Sequence, residues 1–154
     1  MSYEQLKLEN QICFPLYAAS RLITRAYQND LDALGITYPQ YLVLMVLWEF
    51  EKLSVNEIAE KLILNTNTVT PLLKRMEAQL LLMRIQSKTD QRKVIITLTE
   101  KGKNMQINAA EIPYRLVNKL NSSGNEIKIE EALELKSRLY KLIKLLEASE
   151  QKRT

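Results

Sequence analysis

The sequence predicts a mostly α-helical fold with one small β-hairpin. The chain has only three glycines and four prolines among its 154 residues, which leaves few turns for a β-sandwich or a barrel. Apolar residues recur with helical spacing over most of the length, and two short β-prone runs flank a single charged turn. At this length we expect one domain, 1–154.

The amino-acid composition excludes several kinds of site. The chain has no histidine and one cysteine, so it lacks a Ser-His-Asp triad, an HExxH zinc site and an intramolecular disulfide. We expect no metal and no cofactor. No apolar run reaches the ~18 residues of a membrane span, and the N-terminal segment does not resemble a signal peptide. The protein is therefore predicted to be cytoplasmic, without a membrane partner.

The first third of the chain predicts two helices. Apolar residues with a period near 3.6 predict the first helix over residues 8–33. Pro15 lies either in its first turn or at a kink after an earlier helix, and Gly35 is placed to end it in a left-handed conformation. The second helix, 39–51, begins at Pro39 and is apolar nearly all round, so we expect it to be buried.

Two short helices joined by a tight turn follow, over about 54–62 and 66–79. Ser54 and Glu57 have the spacing of a capping box at the start of the first. Asn65 or the residue after it caps the second. This order is a helix-turn-helix pattern.

The second of these short helices begins with short polar side chains, which a core helix would not use. Such side chains donate to and accept from phosphates and base edges. Those predicted to approach the major groove are Thr66, Asn67, Thr68 and Thr70. Lys74 and Arg75 follow one turn later and are predicted to contact phosphates.

A β-hairpin is predicted next, from the runs 83–87 and 94–98 and the charged turn between them. A hairpin directly after a helix-turn-helix is the winged variant, whose tip reaches the adjacent minor groove or the backbone. The residues predicted to make or organise these contacts are Lys88, Asp90, Arg92 and Lys93.

Positive charge is concentrated in this central part of the chain. Residues 61–103 contain nine basic and three acidic residues, a net charge of +6, whereas the rest of the chain carries −2. A basic segment of this kind is a candidate footprint for nucleic acid. The charge alone is equally compatible with a solvated basic surface.

Two long helices, about 99–119 and 126–148, complete the predicted fold, the first capped by Thr99. Their apolar stripes are too long to be covered within a domain of this size. We therefore expect a homodimer whose interface uses about 6–34 and 100–149, with about 39–99 as the DNA-binding part.

Five sequence motifs between about residues 6 and 115 match one known family. They are 8–14 with 16–18 (LENQICF, LYA), 36–41 (ITYPQY), 48–49 (WE), 68–77 (TVTPLLKRME) and 90–92 (DQR). Through them the chain resembles the MarR family of winged-helix bacterial repressors, and within it the organic hydroperoxide resistance regulators. The resemblance implies a winged-helix dimer on pseudo-palindromic double-stranded operator DNA, and a regulator rather than an enzyme.

Two positions depart from the family pattern. Leu80 stands where the family usually has a glycine after the recognition helix, here the predicted helix 66–79. We therefore expect that helix to run on or to end less sharply. Residues 65–67 (NTN) also differ from the usual start of that helix, so the operator sequence does not carry over.

The single cysteine, Cys13, has two interpretations. Most free cysteines are small buried hydrophobes. Tyr17 shares its helix face, whereas Tyr27 lies about 21 Å further along a straight helix. The resemblance implies that Tyr27 and Tyr38 of one chain hydrogen-bond the reactive thiolate of the other chain, as part of a peroxide sensor that also includes Tyr17.

The resemblance implies a mechanism as well. Organic hydroperoxide converts Cys13 to a sulfenic acid, which, without a second cysteine, condenses with a low-molecular-weight thiol, cyclises to a sulfenamide or over-oxidises. The changed interface then moves the recognition helices off their half-sites and DNA is released. The family pattern also implies that Asp90 braces an arginine that enters the minor groove.

Three other functions are compatible with the sequence. A thiol peroxidase would use Cys13 catalytically, although no resolving cysteine is present. A repressor released by a phenolic ligand in the dimer pocket would use this cysteine only for packing. A dimerisation module that does not bind DNA would need no basic segment.

Overall fold

A computed structural model describes residues 3–87, 89–122 and 128–151, with the side chains of these residues up to 150. The chain divides into two compact units, Met1–Ile112 and Pro113–Thr154. The described helices are α1 (Cys13–Ala33), α2 (Tyr38–Phe50), α3 (Val55–Lys61), α4 (Thr66–Ala78), α5 (Glu100–Ala109), α6 (Ile112–Asn121) and α7 (Ile129–Gln151). The described strands are β1 (Lys52–Ser54), β2 (Leu82–Gln86) and β3 (Val94–Leu98). The predicted mostly α fold with a β-hairpin wing is confirmed.

Helix α1 starts later than predicted. The sequence pattern placed its start at residue 8, but Glu4–Leu6 and Leu8–Asn10 form two separate 3₁₀ turns. Pro15 therefore lies in the first turn of α1, where its missing N–H leaves no hydrogen bond unmade. At the other end Gly35 is left-handed, with φ of 67°, as predicted.

Helix α2 begins at Tyr38, one residue before the predicted Pro39. The Thr37 N–H, just before the helix, donates to Gln40 Oε1 at 2.9 Å. The residues of α2 that face the core are Gln40, Tyr41, Val43, Leu44 and Leu47.

Helices α3 and α4 form the predicted helix-turn-helix. The capping box of α3 is present: Glu57 accepts hydrogen bonds from the Ser54 N–H at 2.7 Å and from Ser54 Oγ at 2.6 Å. Asn65 is the N-cap residue of α4. The buried face of α4 consists of Val69, Leu72, Leu73 and Met76, with the spacing of an amphipathic helix.

The end of α4 differs from the prediction. Instead of running on, the helix ends at Ala78, and Leu80 takes the left-handed conformation with φ of 58°. The Leu81 N–H donates to the Met76 carbonyl and the Leu80 N–H to the Glu77 carbonyl, which is a Schellman ending. Leucine thus occupies a conformation that suits glycine, and it carries the steric cost of its Cβ.

The wing is part of a three-stranded antiparallel sheet in the order β1-β3-β2. Strands β2 and β3 pair from Leu82 opposite Leu98 to Gln86 opposite Val94, which confirms the predicted hairpin. Strand β1, with Lys52 opposite Thr97, was not predicted. Its three residues are too few to show a strand period before the capping box begins.

The helix predicted over 99–119 is broken. Helix α5 ends at Ala109 and α6 begins at Ile112. Pro113 explains the break, because proline has no N–H to donate to the Ala109 carbonyl and its ring clashes with that carbonyl in a continuous helix. The predicted start of the last helix, residue 126, lies outside the described residues, and α7 ends at Gln151 rather than at 148.

The core of the first unit is aliphatic. Side chains from α2, α3, α4 and the sheet are almost completely buried, among them Val43, Leu44, Ile58, Leu73 and Ile96.

Across the described part of the chain, no single helix has the length and apolar character needed to cross a membrane. Helices α1 and α2 meet that test of length and composition only as a pair, with a 76° bend between them.

Candidate DNA interface and cysteine site

Helix α4 presents a polar face opposite its buried stripe. Thr66, Asn67 and Thr68 are exposed on its first turn, and Thr70 is half-buried. Thr70 Oγ1 donates to the Thr66 carbonyl at 2.7 Å, which fixes its rotamer. Lys74 and Arg75 are exposed further along.

The turn at the tip of the wing is held by its own side chains. Asp90 Oδ1 accepts the Arg92 N–H at 3.0 Å, and the Asp90 carbonyl accepts the Lys93 N–H at 2.9 Å. Ser87 Oγ accepts the Asp90 N–H at 3.3 Å. The described hydrogen bond of the Asp90 carboxylate is thus with the backbone N–H of Arg92. The Arg92 side chain is exposed.

A groove of about 680 Å³ lies between the helix-turn-helix and the wing. Among the predicted DNA-binding residues, it brings together Thr66 and Thr70 of α4 with Arg92 and Lys93 of the wing. The other predicted residues on α4, Asn67, Thr68, Lys74 and Arg75, do not line it; Arg75 lines a separate crevice. Lys88, also predicted, lies outside the described residues.

Several lining residues of this groove were not predicted. They are Ser54, Val55, Asn56, Glu57, Arg84, Ser87, Thr89, Val94 and Ile95. Arg84 had a signal in the sequence, because it is a basic residue at the start of the predicted hairpin and within the basic segment. The polar residues of the α3 capping box had no such signal in the sequence, because only the folded chain places them beside the wing.

Glu77 and Arg84 connect α4 to the wing. Glu77 Oε1 accepts the Arg84 N–H at 3.3 Å, and its Oε2 lies 3.5 Å from Arg84 Nη1. Arg84 Nε is buried and has no hydrogen-bond partner among the described residues. The pair holds the start of β2 beside the last turn of α4.

The capping box also sets the electrostatics of the groove. Hydrogen bonds from the Ser54 side chain and backbone lower the pKa of Glu57, with smaller contributions from Lys93 and Lys61. Glu57 therefore stays ionised next to the wing cations, which reduces the positive potential at this side of the groove.

Cys13 is the first residue of α1, and it is exposed. Tyr17, one turn further on, is also exposed. Arg21 Nη1 donates to the Tyr17 hydroxyl at 2.8 Å, and the Arg21 guanidinium lies 5.5 Å from the centre of the Tyr17 ring. The Tyr17 phenol is thus engaged with Arg21.

The other two predicted sensor tyrosines belong to an aromatic cluster between α1 and α2. The rings of Tyr27 and Tyr38 are 5.3 Å apart, and those of Tyr27 and Tyr41 are 6.0 Å apart. Trp48 packs against Tyr41 at 6.2 Å. Burial, reinforced by the neighbouring phenols, raises the pKa of Tyr27 and of Tyr41. These rings therefore stay neutral hydrogen-bond donors.

Tyr41 and Trp48 were missed as members of this cluster. Tyr38 and Tyr41 are three residues apart and Trp48 is seven further on, a spacing that places all three on neighbouring faces of α2. The structure does not bring Cys13 to the cluster within one chain. Fourteen residues of helix place it about 21 Å from Tyr27.

Among residues 3–87, 89–122 and 128–151, no group of three or more cysteine, aspartate or glutamate side chains is placed to hold a metal ion.

Sequence comparison identifies the family. The sequence model of the protein family described as "Transcriptional regulator SarA/Rot" matches residues 25–109. The organic hydroperoxide resistance transcriptional regulator of Bacillus subtilis is 46% identical over 144 residues, which cover 94% of this chain and 95% of that one. These relatives are transcriptional regulators, not enzymes, as predicted.

Solved structures agree with this result. Reduced AbfR bound to DNA, from Staphylococcus epidermidis, is 38% identical with a TM-score of 0.78, and the match covers 96% of this chain and 98% of that one. Overoxidised AbfR bound to DNA is 37% identical with a TM-score of 0.74, covering 94% and 99%. The chain therefore belongs to the SarA/MarR family of winged-helix transcriptional regulators.

Proposed function

We propose that the chain is a homodimeric, DNA-binding repressor that senses organic hydroperoxides by oxidation of Cys13 and then releases its operator. The observation that carries the proposal is an exposed cysteine at the start of α1, in a chain 46% identical to an organic hydroperoxide resistance regulator. The phenolic-ligand and peroxidase alternatives lack a comparable observation.

DNA binding is supported by the groove between α4 and the wing. Thr66 and Thr70 of α4 line this groove together with Arg92 and Lys93 of the wing. Hydroxyls suit base edges and phosphates, while basic side chains neutralise the DNA backbone. The DNA-bound state of AbfR supports the same partner for this chain.

A homodimer is supported by the exposed apolar side chains of the first and last helices, such as Phe14 and Leu22 on α1 and Leu133 and Tyr140 on α7. Homodimers are typical of the family. In a dimer that crosses two copies of α1, Tyr27 and Tyr38 of one protomer meet Cys13 of the partner subunit. This arrangement gives the thiolate two phenol donors that its own chain holds about 21 Å away.

The chemistry begins at the Cys13 sulfur. The thiolate attacks the outer oxygen of the hydroperoxide, the O–O bond breaks, and the alkoxide leaves and takes a proton to become an alcohol. The sulfur is thereby oxidised to a sulfenic acid. A low-molecular-weight thiol then attacks this sulfur, which forms a mixed disulfide and releases water.

The mixed disulfide is the form that we propose to release DNA. Overoxidised AbfR is bound to DNA, so the additional oxygen atoms did not exclude DNA from that protein. A thiol adduct adds far more volume beside Tyr27 and Tyr38 than oxygen does. It separates the two protomers' sensor residues and changes the spacing of the recognition helices.

The test is fluorescence anisotropy with labelled DNA from upstream of the gene that encodes the chain. Wild type and Cys13→Ser are titrated in three states: reduced, treated with cumene hydroperoxide, and treated with cumene hydroperoxide followed by cysteine. The proposal predicts tight binding by both reduced proteins, and release only by wild type, greatest in the third state. Release by Cys13→Ser, or continued tight binding by wild type after hydroperoxide and cysteine, contradicts the proposal.

A further inference from the structure

We propose that the Gln40–Gln79 hydrogen bond transmits the oxidation state of the sensor to the recognition helix. Gln40 Nε2 donates to Gln79 Oε1 at 2.8 Å, across 39 residues of sequence. The inference rests on the proposed function and identifies the residues that couple its two sites.

Gln40 connects the bond to the sensor side. It lies in the first turn of α2, two residues after Tyr38, and its Oε1 accepts the Thr37 N–H just before that turn. Its side chain is only 4% exposed. Because both ends of this amide are bonded within the protein, its side chain follows the movement of the turn that carries Tyr38.

Gln79 connects the bond to the DNA side. It is the C-cap residue directly after α4, and its own carbonyl accepts a hydrogen bond from Lys101 Nζ of α5 at 2.9 Å. The next carbonyl, that of Leu80, accepts Thr99 Oγ1 at 2.6 Å. The C-terminal end of the recognition helix is thus held between α2 and the start of α5.

The far end of α2 is fixed to the same element. Trp48 Nε1 donates to the Gly102 carbonyl of α5 at 2.9 Å. A displacement of Tyr38 therefore tilts α2 about its Trp48 end, and the largest movement falls on the turn that holds Gln40. That movement pulls or breaks the bond to Gln79 and reorients α4.

Gln79 is the position to test, because it is exposed and its replacement leaves the buried Gln40 and its bond to Thr37 in place. Gln79→Leu removes the acceptor. Gln79→Glu keeps an acceptor oxygen and should restore the coupling. Gln106→Leu, at an exposed glutamine of α5, is the matched control.

The measured quantity is the ratio of the operator dissociation constants of oxidised and reduced protein, with cumene hydroperoxide and cysteine as the oxidising treatment. We expect Gln79→Leu to lower this ratio about fivefold or more, the lower end of ordinary coupling between two sites. Gln79→Glu and Gln106→Leu should keep the wild-type ratio. Loss of the Cys13 thiol, followed with a chromogenic disulfide, should proceed at the same rate in all four proteins.

The outcomes separate the two claims. If wild type releases DNA and Gln79→Leu shows the same ratio, the Gln40–Gln79 bond does not couple the two sites, and the proposed function stands. A role for this hydrogen bond is also contradicted if Gln79→Glu loses the coupling as fully as Gln79→Leu. If wild type itself keeps its DNA after its thiol is consumed, the proposed function fails and the inference fails with it.

Discussion

The rings of Tyr27 and Tyr38 lie 5.3 Å apart and join α1 to α2, about 21 Å along α1 from Cys13. The two tyrosines are therefore adjacent in one chain while the thiol they are proposed to serve is distant in that chain. This separation is the structural reason for assigning the sensor to a dimer rather than to a monomer.

The tyrosine cluster offers a test of which phenols act on the thiol. We expect Tyr27→Phe to slow the reaction of Cys13 with cumene hydroperoxide about tenfold or more, since a hydrogen bond to a charged group contributes ~1.5–3 kcal/mol. Tyr41→Phe is the matched control, because Tyr41 packs in the same cluster but is buried in the core. Stopped-flow measurement of thiol loss gives both rates; equal rates would remove Tyr27 from the sensor.

The wing offers a test of the DNA interface. Arg92→Ala should weaken operator binding about tenfold and reduce the slope of log K against log salt by about 1 for each phosphate that the arginine neutralises. Anisotropy titrations at several salt concentrations measure both quantities. Lys136→Ala, which removes an exposed cation of α7, should change neither. An unchanged salt slope in Arg92→Ala would exclude this side chain from the DNA interface.

The capping box of α3 should make part of the stability depend on pH. The hydrogen bonds from Ser54 lower the pKa of Glu57 below its ordinary value of 4.5, so the unfolded chain binds this proton more tightly than the folded chain. The stabilisation is present above the unfolded pKa and is lost as pH falls through the folded pKa.

Ser54→Ala tests this dependence. At pH 7 it should lower the free energy of unfolding by ~1 kcal/mol, and the difference from wild type should shrink below the ordinary glutamate pKa. Urea unfolding at a series of pH values measures the difference, with Ser20→Ala on an exposed position of α1 as control. A difference that stays constant down to the acid transition would show that Glu57 is not responsible.

Leu80 should be a site of stored strain. Its φ of 58° costs a residue with a Cβ ~1–2 kcal/mol, and its side chain is 67% exposed, so little packing depends on it. Leu80→Gly should raise the free energy of unfolding by ~0.5–1 kcal/mol after the extra freedom of glycine in the unfolded chain is counted. Leu80→Ala keeps the strain and should give no gain. A loss of stability in Leu80→Gly would contradict this account of the turn.

Local signals in the sequence were sufficient for much of the fold. The capping box at Ser54 and Glu57, the left-handed Gly35 and the hairpin around Asp90 each depend on a few neighbouring residues, and all three are present in the structure. Pro113 was an equally local signal for the break after α5, but the apolar period that continues across it suggested one helix.

The remaining features depend on contacts between distant residues. Strand β1 exists because Lys52 pairs with Thr97, and nothing in its three residues specifies a strand. The Gln40–Gln79 bond and the Glu77–Arg84 pair join elements that only the fold brings together. The proposed approach of Tyr27 to the thiol of a second protomer rests on the family resemblance, because periodicity along one chain does not describe contacts between two chains.

The most direct test of the central claim is to follow DNA release and the state of Cys13 in the same sample. Cumene hydroperoxide is added in steps to the protein–DNA complex in the presence of cysteine, while anisotropy reports bound DNA and intact-mass spectrometry reports the cysteine adduct. We expect the released fraction to rise in proportion to the adduct on Cys13, and dithiothreitol to restore both adduct-free protein and binding. Complete modification of Cys13 with the DNA still bound would contradict the proposed switch.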